Sequence, residues 1–183
     1  DHETAASLAK ERGFHVVPVN GGYRRVVASP EPVGVLEHRA PMAPVDASAT
    51  VSVCGGGGVP VVVGDAGRPH GIEGVVDKDL AAMVLARVVE ADALLLLTDV
   101  DGVYRDFTGR RADLIRRLST ADVTRLIDEG VAAPGSMAPK LEAARRFAEV
   151  GGYSVIASLE HGEQALRRAA GTRIVKEAAP RPE

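Results

Sequence analysis

The five residues Ala93-Leu94-Leu95-Leu96-Leu97 carry no polar side chain, and Thr98-Asp99-Val100-Asp101-Gly102 follows at once. A strand with one wet face alternates apolar and polar residues. An unbroken apolar run predicts a central strand covered on both faces, the setting of a parallel sheet between helices. Parallel strands need long crossovers, and the chain supplies helical ones. Residues 77–90 place Leu80, Ala81, Met83, Val84 and Val88 at helical spacing behind Asp77, a residue type suited to the N-cap. Ser119-Thr120-Ala121-Asp122 resembles a capping box with Asp at the usual Glu position, and it opens a helix that Gly130 ends. Pro139 suits the first turn of a further helix, which runs to Val150 and stops at Gly151. Strands at 153–157 and 172–175 and a helix at 160–169 complete the alternation. The pattern predicts an α/β fold.

The amino-terminal third reads differently. Residues 3–12 are helical in character and Gly13 stops them. Residues 14–19 and 24–27 predict two strands joined at Asn20-Gly21-Gly22, because Asn-Gly favours a hairpin turn. Ser29-Pro30-Glu31-Pro32 must be extended. Residues 33–50 hold Pro41 and Pro44 where a crossover helix would have its middle, and an interior proline costs about 3 kcal/mol. The alternatives are a short helix at 33–39 or irregular structure. Residues 51–54 and 60–63 predict strands around Gly55-Gly56-Gly57-Gly58, residues 64–69 a turn cluster, and residues 72–76 a short apolar segment. No internal repeat is present.

Size and composition narrow the function classes. A chain of 183 residues can bury one sizeable core. Aromatic residues are only 3%, so that core must be Val, Leu, Ile and Ala. The net charge of -3 and the lack of a long basic run argue against a nucleic-acid or membrane-surface binder. Cys54 is the single cysteine, which excludes an intrachain disulfide and fits a reducing, cytoplasmic setting. No apolar run reaches membrane-spanning length. The chain starts Asp1-His2-Glu3-Thr4, which is neither a signal peptide nor an initiator Met, so it is expected to begin partway through a longer protein.

In open α/β sheets, ligands bind beyond the carboxyl ends of strands. Four places qualify here. Gly55, Gly56, Gly57 and Gly58 are either a flexible turn or a loop whose bare backbone N–H groups meet an anion; four consecutive glycines have a large entropic cost for a mere turn. The loop is neither a P-loop nor a G-x-G-x-x-G fingerprint. Lys78 and Lys140 sit in the first turns of helices, where a cation opposes the macrodipole. They are either solvated or, taken together, a phosphate clamp, with Asp79 as the carboxylate that holds both ammonium groups. Thr98-Asp99 is a helix cap or a ligand contact. Tyr104 and Met137 are core residues or a base-stacking pocket. The five histidines show no metal-ligand spacing, and His161 reads as a helix start.

Several stretches together resemble the carbamate kinases of the amino acid kinase family. They are Tyr23-Arg24-Arg25-Val26-Val27-Ala28-Ser29-Pro30-Glu31-Pro32, Gly55-Gly56-Gly57-Gly58-Val59-Pro60-Val61 and Gly74-Val75-Val76-Asp77-Lys78-Asp79-Leu80-Ala81. Then come Leu97-Thr98-Asp99-Val100-Asp101-Gly102-Val103, Gly135-Ser136-Met137-Ala138-Pro139-Lys140 and the closing Gly171-Thr172. Order and spacing match across most of residues 1–175.

The resemblance implies a three-layer α/β/α sandwich around a mainly parallel open sheet, incomplete at its amino-terminal side. Residues 1–27 would be the tail of a protruding subdomain, 28–175 the nucleotide-binding α/β portion, and 176–183 a polar tail. It implies reversible phosphoryl transfer between ATP and carbamate, running from carbamoyl phosphate and ADP in arginine catabolism. Lys78, Asp79 and Lys140 would be the catalytic residues. Thr98, Asp99, Tyr104, Ser136, Met137 and Lys140 would bind the nucleotide. Gly55 to Gly58 would line the phosphoryl and carbamate site. Mg²⁺ would bridge phosphate oxygens with few protein ligands, and the protein would be a homodimer. The alternatives are an inactive nucleotide-binding fragment of that fold, or a family member with another acceptor. Lys140→Ala is expected to abolish ATP formation and leave the fold intact.

Overall fold

The computed structural model describes residues 1–37, 49–105, 113–130 and 137–176. They form two compact units.

The first unit is Asp1–Glu31 with Val59–Val76. Helix α1 (His2–Arg12) is N-capped by Asp1, which accepts from the Thr4 N–H at 2.8 Å, and it ends at Gly13 with φ 66°. Strands β1 (His15–Val19) and β2 (Gly22–Val26) form the expected hairpin, with Val19 opposite Gly22, so the loop is Asn20-Gly21. Strands β3 (Val61–Val63) and β4 (Pro69–Gly71) form a second antiparallel hairpin around the glycine-rich turn. The sequence pattern did not predict β4, whose three residues carry no strand signal. The Arg25 guanidinium lies 3.8 Å over the Phe14 ring and pairs with Glu73. The one buried apolar side chain of this unit's described residues is Ala5, so the unit has little apolar core of its own.

The second unit is Pro32–Gly58 with Asp77–Glu183, and it holds the core. Its elements are α2 (Lys78–Val88), β5 (Ala93–Thr98), β6 (Arg117–Ser119), α3 (Thr120–Asp128), α4 (Met137–Glu149), β7 (Tyr153–Ser158), a 3-10 turn (Leu159–His161), α5 (Gly162–Leu166) and β8 (Thr172–Val175). The sheet order is β5-β7-β8-β6. The β5–β7 and β6–β8 pairs are parallel, and β7–β8 is antiparallel.

Alternation sorts the strand residues onto two faces. Leu94, Leu96, Leu118, Ile156 and Ile174 face α2, α3 and α4, where Met83, Val123, Leu141 and Phe147 complete one core. Val155 and Ala157 face the other way and meet Ala165 of α5, with Leu95 and Tyr153 at the margin. Thr172 ties β8 to the segment between β5 and β6: its hydroxyl accepts from the Val103 N–H at 2.8 Å and donates to the Ile115 carbonyl at 2.6 Å.

Four expectations change. Residues 51–54 are not a strand; no described strand pairs with them, so their β-branched side chains have no ladder to join. Of the two alternatives for residues 33–50, the short helix at 33–39 does not form at 33–37, where 33–35 are irregular and 36 and 37 form a turn; residues 38–48 lie outside the described ones. The helix expected at 160–169 is only Gly162–Leu166, because a 3-10 turn precedes it and Arg168 turns left-handed at φ 64°. And β5, read as a central strand, lies at the edge of the described sheet.

Candidate functional site

Two helix starts build the site. Asp77 caps α2: its carboxylate accepts from the N–H groups of Asp79 at 2.9 Å and Leu80 at 3.0 Å. This fixes the first turn that carries Lys78 and Asp79. Helix α4 packs against α2 and brings Lys140 in from its own first turn. The Lys140 ammonium donates to both Asp79 oxygens, at 3.0 and 2.8 Å. Asp79 and Lys140 are 6% and 3% exposed. A buried charge pair survives only with such close, two-point geometry. Lys78 differs: its side chain is 58% exposed, and its Nζ stands 3.9 Å from Asp79 Oδ2.

So the carboxylate expected to hold both lysines grips one and only touches the other. Lys140 has three N–H donors, of which Asp79 takes at most two. Lys78 keeps nearly all of its hydrogen-bonding capacity. Two ammonium groups meet here at a helix N-terminus, with Asp77 turned to the capping N–H groups and Asp79 to Lys140, an arrangement that suits an anion with several oxygens.

The fold-preserving expectation for Lys140→Ala is revised by this geometry. Removing Lys140 leaves the buried Asp79 charge with only the looser Lys78 contact at 3.9 Å, and breaking such a buried pair costs about 3–5 kcal/mol. The role of the ammonium is separable from the fold only if Asp79 is neutralised as well.

At the carboxyl end of β5, Thr98 is buried and its hydroxyl donates to Asp99 Oδ1 at 3.1 Å, while Asp99 is exposed. Tyr104 is half-buried and bridges to Leu114. Burial, then the adjoining Asp101 charge, pushes its phenol above the ordinary value. Met137 packs at the margin of the main core. Ser136 lies outside the described residues.

The glycine loop takes a shape closed to most side chains. Cys54, Gly55, Gly57 and Gly58 have φ of 61°, 48°, 128° and 85°, and the Gly57 N–H donates to the Cys54 carbonyl at 2.9 Å. Gly56 has no positive φ, and a Cβ there would meet nothing within 4 Å. Among the described residues no hydrogen bond joins this loop to the lysine cluster.

One group escaped the sequence pattern. His161 Nδ1 lies 2.9 Å from Ser158 Oγ and 3.2 Å from Asp101 Oδ1. A nucleophile relay needs serine on one ring nitrogen and carboxylate on the other. Here both share one nitrogen, so the group is a polar clip that fastens the loop after β5 to the turn after β7. Asp101 and His161 are 60 residues apart, and no local spacing announces the contact.

Known proteins share this fold and much of this sequence. The sequence model of the amino acid kinase family matches residues 4–158. A carbamate kinase of Clostridium perfringens (strain 13 / Type A) is 45% identical over 177 residues, which cover 95% of this chain and 56% of that protein. A crystal structure from Aeropyrum pernix K1 superposes with a TM-score of 0.89 at 40% identity, over 96% of this chain and 57% of the other. A carbamate kinase from Giardia lamblia bound to AMP-PNP superposes with a TM-score of 0.84 at 31% identity, over 97% and 56%. The chain thus spans about half the length of the curated relatives it matches.

Proposed function

The chain belongs to the amino acid kinase family, and we propose that it is the nucleotide-binding portion of a carbamate kinase. The reaction is carbamoyl phosphate and ADP to carbamate and ATP, and its reverse. The single observation that carries this reading is the buried Asp79–Lys140 pair with the exposed Lys78 beside it. The Clostridium perfringens carbamate kinase points to the acceptor, and the AMP-PNP bound to the Giardia lamblia carbamate kinase points to the nucleotide.

In the ATP-forming direction, the bond from phosphorus to the carbamate oxygen breaks and a bond to the terminal ADP oxygen forms. Charge spreads over the transferring phosphoryl, and catalysis is positioning plus neutralisation. Lys78, free at the helix start, meets that charge. Lys140, held by Asp79, presents its spare N–H groups without side-chain reorganisation. Gly55 to Gly58 line the phosphoryl and carbamate site. Thr98, Asp99, Tyr104, Ser136 and Met137 hold the nucleotide.

Magnesium belongs to the reaction as part of the nucleotide substrate, where it neutralises phosphate oxygens. The described residues contain no group of three or more His, Cys, Asp or Glu that could hold a metal. Both Asp79 oxygens are engaged by Lys140. No step is assigned to a protein-held ion. No described helix is long and apolar enough to cross a membrane. A cytoplasmic homodimer serving arginine catabolism completes the proposal, with residues 1–27 as the tail of a protruding subdomain.

A second reading is a nucleotide-binding unit without turnover. It is favoured by the open edge at β5 and the unpaired residues 51–54, which leave one side of the sheet incomplete. The test is incubation of the chain with carbamoyl phosphate and MgADP while ATP is followed. ATP formation supports the kinase. ADP binding by calorimetry without ATP supports the second reading. Transfer to another carboxylate or to a nucleotide, but not to carbamate, would assign a different acceptor within the family.

A further inference from the structure

A second cationic site lies on the other side of the sheet from Lys78 and Lys140. Arg117 of β6 and Arg173 of β8 are direct partners in register, and Arg173 is also opposite Val155 of β7. Registered neighbours share a face, so both arginine side chains leave the same side of the sheet. This is the face of Val155 and Ala165; Leu118 and Ile174 point into the main core beneath α4.

Arg116, Arg117, Arg168 and Arg173 line one cavity of about 330 Å³, walled otherwise by Val155, Ala165 and the loop that leads to Gly171. Arg173 and Arg168 both lie over the Tyr153 ring, at 4.0 and 6.0 Å. Among the described residues no carboxylate pairs with any of the four arginines. The Arg173 Nε is buried and has no hydrogen-bond partner. A buried donor without a partner costs free energy, and in-register like charges add to that cost.

Four other arginines of this unit are paired. Arg145 and Arg146 meet Glu142, Arg167 meets Glu163, and Arg125 meets Asp122. The four cavity arginines stand apart from that pattern.

We propose that this cavity binds a small multivalent phosphate ester or inorganic polyphosphate. Guanidinium forks match phosphate oxygens in bidentate pairs. The volume lies at the small end of ligand pockets, which suits a compact anion and excludes a protein segment. The site shares no residue with the phosphoryl-transfer cluster and does not rest on it.

The test is calorimetric titration of inorganic pyrophosphate into Lys78→Met, which weakens the other cationic site, and into Lys78→Met combined with Arg117→Gln and Arg168→Gln. Both arginines are exposed, so the substitutions spare the core; circular dichroism verifies the fold. Binding that persists in Lys78→Met and weakens at least tenfold in the triple variant supports the site, as does partial recovery with Arg117→Lys. Citrate separates the anion classes. Citrate bound as tightly as pyrophosphate overturns the assignment to phosphate. Equal pyrophosphate binding with and without the arginine substitutions, or no binding in Lys78→Met, overturns the site itself.

Discussion

Lys78 and Lys140 occupy equivalent places in sequence, each in the first turn of a helix, yet the fold gives them different work. Lys140 is immobilised by two bonds to Asp79 inside the helix–helix seam. Lys78 remains in solvent. Thermal unfolding of Lys140→Met should therefore show a loss of about 3–5 kcal/mol, and adding Asp79→Asn should restore much of it, because the double variant leaves no buried charge unpaired. Equal destabilisation in the single and double variants would refute the pairing argument. Gly56 offers the converse case. A methyl group there meets no neighbour and φ is not positive, so Gly56→Ala should leave the unfolding temperature nearly unchanged. It should lower kcat/KM about tenfold or more if the loop backbone approaches the substrate, a loss of roughly 1.4 kcal/mol. Unaltered kinetics would return this loop to the status of a turn.

At the scale of elements, the helix starts were the most legible feature. Asp77 and Ser119 are N-caps as read, and the Ser119–Asp122 box closes with bonds in both directions, each of 3.0 Å. Capping chemistry is local, so sequence carries it. Strand membership is not local. Residues 51–54 have strand composition and no described ladder, while Arg117–Ser119 has little strand composition and pairs with β8. The antiparallel direction of β8 and the Asp101–His161 contact depend on chain segments 20 to 60 residues apart. Hydrogen bonding by Ser119, first through its side chain, holds the Asp122 carboxyl below the usual range, and the Arg145 guanidinium does the same for Glu142. In both cases the unfolded chain binds protons more readily than the folded one, so stability rises with pH through this window. It is fully present above the ordinary carboxylate range and is lost as pH falls through the depressed values. Acid unfolding monitored by circular dichroism should show this loss, and Asp122→Ala should flatten its share of it and cost about 1 kcal/mol at neutral pH. An unchanged acid limb in that variant would remove Asp122 from the account.

At the scale of the molecule, the sheet has two unlike sides. Along β6 and β8 it ends in charged residues, including Arg117 and Arg173. At the other side lies β5, six residues long and apolar except for Thr98, with Leu97 38% exposed and no described strand on its outer side. Natural sheets blunt such edges with charge, proline or a cover. The 183-residue chain by itself should therefore self-associate, with a sedimentation coefficient that rises with concentration, and Leu97→Lys should suppress this. A concentration-independent monomer would show that the edge is protected. The apolar run that announced a buried strand was informative about composition and ambiguous about position, because burial on both faces and pairing on both edges are separate conditions.

The proposed function makes Lys78 and the Asp79–Lys140 pair a phosphoryl-transfer site. Its most direct test is the initial rate of ATP formation from carbamoyl phosphate and MgADP by the chain and by its Lys78→Met variant. Lys78 is exposed, so the substitution leaves the buried pair intact. ATP formation should be measurable and should fall roughly a hundredfold in the variant, a loss of about 3 kcal/mol of transition-state stabilisation. Equal rates in the two proteins, or ADP binding with no ATP formed by either, would contradict it.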